Sequence, residues 1–398
     1  MRDEPIAQAP ARRVWRRPML SRSSTEEHRA STPLELFFDL CFVVAVAQAA
    51  AQLHHALASG HVSHGLVGYA MVFFAIWWAW MNFTWFASAY DTDDVLYRLA
   101  TLVQIAGVLV LAAGVPRAFD GGDFVIVTIG YLVMRVALTA QWLRAARDDR
   151  QRRSPTLRYA FGIAACQVGW LARLALPDPW GTVGFVVLVL LELSLPVWAE
   201  RPAALHWHPG HIAERYGLFT LIVLGESVAA ATTAVQSALD SGQAIADLLK
   251  LAAGGLLIVF SMWWLYFEQH ADERLSTTNL DSFVWGYGHY AIFASAAGVG
   301  AGLQVAVDHA AGHTELGTWG AGATVAVPLA LYLLSVWLLH VRAEPRPSPR
   351  RIAYPLAALL VLAATPFGEA VPVIGLLAAA LVAVRVLTKP PSPDAARA

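Results

Sequence analysis

Cysteine is nearly missing from this chain: Cys41 and Cys166 are the two among 398 residues, and each lies inside an apolar run. That excludes a disulfide framework and a clustered thiolate metal site. Charge is scarce too, at 14% of residues against ~25% for soluble domains, with 57% hydrophobic residues and a mean hydropathy of +0.51. A soluble enzyme does not have this composition. Nor does one sign of charge dominate, since 28 basic residues face 29 acidic ones. No chain-wide basic field is present to hold DNA or RNA. The sequence has no Walker phosphate loop, no dinucleotide glycine fingerprint and no His-Glu-x-x-His helix. Gly225, Glu226 and Ser227 imitate a nucleophile elbow, but Ala229 stands where its last glycine belongs. ATP-driven pumping by this chain alone and catalysis by an activated serine therefore lack support.

Long apolar runs are what the chain has instead. A hydrocarbon core of ~30 Å needs ~20 mostly apolar helical residues, and twelve such runs can be bounded, at 33–57, 63–87, 97–115, 123–144, 157–176, 180–199, 212–235, 246–267, 283–306, 319–340, 352–366 and 370–387. The last two are short, so one re-entrant hairpin is the alternative for them. The expected fold is all-α, a polytopic integral membrane protein of about twelve transmembrane helices. Residues 1–32, basic, and 388–398, Pro-rich, read as disordered tails. The first six-helix half spans 33–199, a linker 200–211, and the second half 212–387. An Arg-rich start before an apolar run resembles a signal peptide, but Glu35 and Asp39 within that run favour an uncleaved first helix.

Basic residues near span ends are retained in the cytoplasm. With the N-terminus inside, cytoplasmic segments carry 24 of the 28 basic residues; external loops carry Arg117, Arg173 and Lys250, and Arg135 lies within the fourth span. Both termini are therefore expected in the cytoplasm of a cell whose inner membrane holds the protein.

The two halves also look alike. Glu35 and Glu214, 179 positions apart, open the first and seventh spans, each two residues before an aromatic. Trp77, Trp78 and Trp80 match Trp263, Trp264 and Tyr266 at an offset of 186, and Gln104 falls on His289 at an offset of 185. Six spans per half would put a pseudo-twofold axis along the membrane normal.

Three blocks carry a family resemblance: Pro33 to Ala45 (PLELFFDLCFVVA), Glu214 to Val228 (ERYGLFTLIVLGESV) and Trp285 to Tyr290 (WGYGHY). They resemble signatures of the bacterial low temperature requirement protein A family, over about Pro33 to His340. Cys41 stands where an aliphatic residue is expected. The resemblance implies a multi-pass inner-membrane protein linked by name to growth in the cold, and implies no particular reaction, substrate or cofactor.

Charges inside a spanning helix cost roughly 2.5 to 3.5 kcal/mol on insertion scales and so face a bundle interior or a wet cavity. Glu35 and Asp39 share one helix face, where their repulsion needs an offset; Glu35 fits helix-start chemistry after Ser31 and Thr32, while Asp39 lies one turn too deep for it. Glu214 and Arg215 read as the same helix-start chemistry. Glu226 falls ~16 Å beyond Arg215 along the axis, near the midplane, with Gly225 permitting close packing or an opened backbone. Asp39, Gln104 and His289 lie at comparable depth and suggest a polar layer, His289 being the side chain most readily switched by protons. Arg135 and Glu192 sit equally deep in the fourth and sixth spans, which suggests an intramembrane salt bridge. Trp77, Trp78, Trp80, Trp85, Trp263 and Trp264 read as an interfacial belt, and Ala294, Gly298 and Gly302 as a close-packing stripe. His206, His208 and His211 imitate a metal cluster, but Pro209 and Gly210 point to a loop.

The expectation is a secondary transporter or proton-coupled permease, with Glu226, Asp39, His289 and Gln104 along a polar path. The alternative is a membrane-embedded enzyme or lipid-binding protein acting at the cytoplasmic leaflet. No catalytic residue, cofactor or metal is assigned. The partners are the bilayer and a small solute or ion, with protons for coupling; nucleic acid is excluded and a homo-oligomer is left open.

Overall fold

The computed structural model describes residues 15–22, 29–240, 245–268, 275, 279–342 and 349–388. Among them run twelve helices: α1 (Pro33–Ala58), α2 (Val62–Tyr90), α3 (Val95–Gly121), α4 (Val125–Asp148), α5 (Arg153–Arg173), α6 (Trp180–Ala199), α7 (Pro209–Asp240), α8 (Ile245–Phe267), α9 (Asn279–Ala310), α10 (Thr318–Val336, extended by one π turn over Trp337–Val341), α11 (Pro349–Ala363) and α12 (Ala370–Leu387). Ten are long and apolar enough to cross a membrane. The other two fall short for different reasons. Helix α5 holds Arg153, Arg158, Gln167 and Arg173 within 21 residues, and α11 is only 15 residues long.

Local chemistry sets the helix starts. Thr32 caps α1 in a reciprocal box, its hydroxyl accepting from Glu35 N–H while a Glu35 carboxylate oxygen accepts from Thr32 N–H at 2.8 Å. Asp94 caps α3 by accepting from Tyr97 N–H at 2.8 Å. Pro209 opens α7, which corrects the reading of Pro209 and Gly210 as loop. A proline suits the first turn, where its missing N–H removes no helical bond.

Packing follows one order in both halves of the chain. Helix α1 lies on α2 and α3, α3 on α4, α4 on α5 and α5 on α6; α7 lies on α8 and α9, α9 on α10, α10 on α11 and α11 on α12. Glycine sets the closest backbone approach in each half: a Cβ on Gly130 of α4 would come within 2.3 Å of Leu111 N in α3, and one on Gly302 of α9 within 2.2 Å of Thr324 O in α10. The halves also differ. Helix α8 packs along α12, whereas the α2 and α6 backbones stay apart, and the halves meet through α1 on α9 and α7. Helices α2 and α9 are the most buried spans. Tyrosines cross-link them, Tyr69 OH donating to Ala294 O and Tyr290 OH to Ala70 O.

The expected disorder of 1–32 does not extend to residues 15–22. Met19 is fully buried, and backbone N–H groups of Arg17, Met19 and Ser21 donate to carboxylates of Asp94, Asp148 and Asp149 in turn. Alternate residues of an extended segment point the same way, so one side of it meets three acids. Residues 1–14, 23–28 and 389–398 lie outside the described residues.

Candidate functional site

The acidic pair of α1 finds its counter-charge in α7. Both Asp39 and Arg215 are fully buried; Arg215 Nη2 donates to Asp39 Oδ1 at 2.5 Å and Nε to Oδ2 at 3.0 Å. Trp80 Nε1 of α2 donates to the same Oδ1 at 2.7 Å. Arg215 Nη1 and His211 Nε2 each lie 3.2 Å from Glu35 Oε1. Two carboxylates, one guanidinium and one imidazole thus share a site closed by α1, α2 and α7. Glu35 does cap its helix, but its second oxygen belongs to this cluster. Arg215 is corrected outright: it lies well inside a helix that starts at Pro209, and its partners are across the bundle rather than at a helix terminus. Glu214 faces the other way and accepts from Ser31 N–H at 3.3 Å.

The other intramembrane polar residues occupy separate places. Arg135 Nη2 lies 2.6 Å from Glu192 Oε2, both buried, and Glu192 also accepts from Trp78 Nε1, Tyr131 OH, Trp170 Nε1 and Gln167 Nε2. Gln104 donates to Gln141 Oε1 at 2.9 Å between α3 and α4. His289 is fully buried, its Nδ1 2.8 Å from Trp285 O and its Nε2 3.0 Å from Tyr266 OH, with the His340 ring of the π turn 5.7 Å away. The Trp285 carbonyl can only accept, so Nδ1 carries a hydrogen and donates there, while the Tyr266 hydroxyl can meet Nε2 as donor or acceptor. Neither Gln104 nor His289 touches Asp39. The three histidines at the start of the second half diverge: His206 meets Arg152 and His208 N–H donates to Ser88 Oγ ahead of α7, while His211, in the first turn of α7, enters the charge cluster.

Glu226 stands alone in a cleft. It is half-buried and makes no hydrogen bond or ion pair among the described residues. The cleft, of about 240 Å³, lies between Ala47, Ala50 and Ala51 of α1, Glu226, Ser227 and Thr233 of α7, and Ala297, Gly300 and Gln304 of α9. Between it and the Arg215 cluster the same helices carry buried apolar residues, Phe42 and Val46 on α1 and Phe219 and Val223 on α7. Trp80, Phe219 and Phe293 pack there with ring centroids 4.4 and 4.9 Å apart. Gly225 neither packs closely nor opens the helix: nothing lies within 4 Å of where its Cβ would be, and α7 continues through it.

The expected interfacial belt of tryptophan does not form on α2. Trp77, Trp78 and Trp80 are buried mid-helix in α2, while Trp263 and Trp264 are exposed. Indole N–H groups that meet the Glu192 and Asp39 carboxylates make deep burial affordable for Trp78 and Trp80. His211, Gln141, Tyr266 and Gln304 were missed. The first carried a signal, since His211 and Arg215 are four apart and so share the face that meets α1.

Outside the spans, burial and the nearby Glu35 charge push Asp91 up to about 6, and burial pushes Glu200 up to about 7 against a hydrogen bond from Tyr159 OH. Burial also disfavours a charged Asp94, but hydrogen bonds from Arg144 and the backbone N–H groups of Arg17 and Tyr97 hold it below the usual range.

Residues 30–388 match the family model of the bacterial low temperature requirement A protein. An uncharacterized protein of Rhizobium meliloti (strain 1021) is 26% identical over 358 residues, which cover 82% of this chain and 81% of that protein. The match takes in the charge cluster, the Glu192 hub and the Glu226 cleft together, and the chain belongs to the bacterial low temperature requirement protein A family.

Proposed function

We propose that the protein is a proton-coupled secondary transporter of the bacterial inner membrane, with both termini in the cytoplasm. One observation carries this reading: an unpaired carboxyl, Glu226, lines a cleft that a packed aromatic layer separates from the opposite half of the bundle. A site open toward one face and sealed from the other is what alternating access requires. Glu226 is then the proton site of the open half. Asp39, held by Arg215, is the site of the closed half, and His289 borders it through Tyr216, whose ring lies 4.8 Å from the imidazole and 4.9 Å from Trp80. Gln104 supports the α3–α4 wall. In this reading α5 and α11 complete two six-helix halves, supported by the shared packing order and the sequence offsets.

Action on lipid at the cytoplasmic leaflet has less room. The aromatic crevice lined by Trp85, Trp142, Tyr159, Glu200 and Trp207 measures about 30 Å³, the share of a single water. The deciding experiment uses purified protein in vesicles loaded with a pH-sensitive dye. Wild type is expected to show a proton response that folded Glu226→Gln lacks. An unchanged response in that variant defeats the mechanism.

A further inference from the structure

The chemistry lining the Glu226 cleft selects a class of ligand. A hydroxyl has one hydrogen to give and two lone pairs to offer. Ser227 Oγ spends its hydrogen on backbone carbonyls, Val223 O at 3.1 Å and Ala296 O at 3.2 Å, and Thr233 Oγ1 donates to Ala229 O at 3.1 Å. What both hydroxyls leave for the cleft is lone pairs. Glu226 adds a carboxylate and Gln304 a carboxamide, whose oxygen accepts and whose N–H2 donates, while the remaining walls are alanine and Gly300, which bring no side-chain donor. No Arg, Lys or His lines the space. An anion would meet the Glu226 carboxylate and hydroxyl lone pairs, with the Gln304 N–H2 as the one side-chain donor left for it among the lining residues.

We infer that the cleft is a binding site for a monovalent cation, an alkali ion or a small primary ammonium, held by the Glu226 carboxylate and the Ser227, Thr233 and Gln304 oxygens. A single carboxylate matches a single positive charge, whereas hard divalent ions gather several anionic oxygens. The volume of about 240 Å³ admits a cation that keeps part of its hydration, at ~30 Å³ per water. Position supports the assignment. Gly300 lets α9 approach so closely that a Cβ there would lie 2.8 Å from Ser227 Oγ, which fixes this hydroxyl at the floor of the cleft. One turn above Gln304, Asp308 of α9 meets His54 of α1 at 2.6 Å, which ties together two of the helices that form the walls.

The inference rests on the transporter reading only in taking the cleft as the ligand's place, and binding can be measured without flux. Purified protein in detergent is heated while tryptophan fluorescence reports unfolding, in NaCl, KCl or methylammonium chloride, with N-methylglucamine chloride keeping ionic strength constant. The midpoint is expected to rise saturably with one of the small cations and not with N-methylglucamine. The half-saturating concentration should increase about tenfold or more in Glu226→Gln, as loss of a charged hydrogen-bonding partner implies. Thr233→Val, which keeps shape and removes an acceptor, should raise it several-fold with an unchanged midpoint in N-methylglucamine chloride; it decides the matter if Glu226→Gln does not fold. A response to Na⁺ or K⁺ identifies an alkali-ion site, and one to methylammonium alone an amine site. No cation-specific shift in wild type, or the same half-saturation in Thr233→Val and any folded Glu226→Gln, overturns the assignment. Cation-dependent stabilisation without proton-linked flux would leave the site standing and remove the transporter reading; flux without stabilisation would do the reverse.

Discussion

Arg215 of α7 grips Asp39 of α1 with two nitrogens, Nη2 to Oδ1 at 2.5 Å and Nε to Oδ2 at 3.0 Å, and neither side chain reaches solvent. This fork joins the first half of the chain to the second. A guanidinium can serve two carboxylates because its five donors fan out in a plane, and Arg215 uses its remaining arm toward Glu35. An ammonium has no such geometry.

Removing Arg215 should therefore be among the most damaging single changes in the protein. Arg215→Ala leaves Glu35 and Asp39 buried without a full counter-charge, at a cost of about 3 to 5 kcal/mol. Arg215→Lys keeps the charge and loses the fork, so it should fall between Ala and wild type. Adding Asp39→Asn to Arg215→Ala removes one orphaned charge and should recover part of the loss. Thermal midpoints of the four purified proteins measure this, and a double variant no better than Arg215→Ala would mean that the pair is not coupled.

The Arg135 and Glu192 pair should answer differently to charge exchange. Glu192 accepts from Trp78, Tyr131, Trp170 and Gln167 besides Arg135. Arg135→Ala should cost several kcal/mol by leaving that carboxylate unbalanced. The exchange Arg135→Glu with Glu192→Arg should not restore stability, because four donors would then point at a guanidinium that cannot accept. Rescue by the exchange would show that the pair acts in isolation and the surrounding donors are dispensable.

Depth was legible in the sequence, and facing was not. Counting residues from the span ends put Arg135 and Glu192 at one level, and they touch. The same count put Asp39, Gln104 and His289 in one layer, yet Gln104 turns to Gln141 and His289 to Tyr266. Depth is a distance along a helix axis, set by 1.5 Å per residue. Facing depends on how each helix is rotated about that axis, which packing decides. The tryptophans failed for a related reason. Indole at a span end and indole beside a buried carboxylate look alike in sequence, and only the positions of Asp39 and Glu192 across the bundle separate Trp80 and Trp78 from Trp263. The apolar runs themselves were readable because the bilayer demands them regardless of partner.

Stability should depend on pH through Glu200. Its folded-state value near 7 lies above that of an exposed carboxyl, ordinarily 4.5. Between those values the folded protein holds a proton that the unfolded chain has released, so stability falls as pH rises through that window and the loss is complete above about 7. Asp91, pushed up to about 6, acts in the same direction over a lower range. Asp94, held down, loses its contribution only as pH falls below the ordinary carboxylate range. In Glu200→Gln the decline in thermal midpoint should therefore stop near pH 6 instead of continuing toward 7. An unaltered profile would place Glu200 outside the titrating set.

Topology has a direct test. Asp148 and Asp149 at the end of α4 bind Arg16, Met19 and Ser21, so this end of the bundle also holds the segment that precedes α1. Fusions of a fluorescent reporter active only in the cytoplasm should light up after Arg147 and after Thr388, and stay dark after Asp240. A cytoplasmic signal at Asp240 would invert α7 and with it the opening side of the Glu226 cleft.

Two glycines should respond to alanine in opposite ways. Gly302 lies where α9 meets α10, and an added Cβ would sit 2.2 Å from Thr324 O. Backbone cannot step aside as a flexible side chain does, so Gly302→Ala must push the helices apart and should destabilise by about 1 to 3 kcal/mol. At Gly225 the new methyl meets nothing within 4 Å, and the helix is regular. There alanine restricts the unfolded chain and favours the helix, for a gain of about 0.5 to 1 kcal/mol. Thermal midpoints compare the two. Flux adds a second contrast, because Gly225 adjoins Glu226 and is the point where α7 could bend if its outer half closes on α1. A Gly225→Ala protein that is more stable and slower in transport would mark Gly225 as a hinge; one that is more stable and equally fast would show that the cleft closes without bending there. Destabilisation by Gly225→Ala would contradict the open surroundings of this residue.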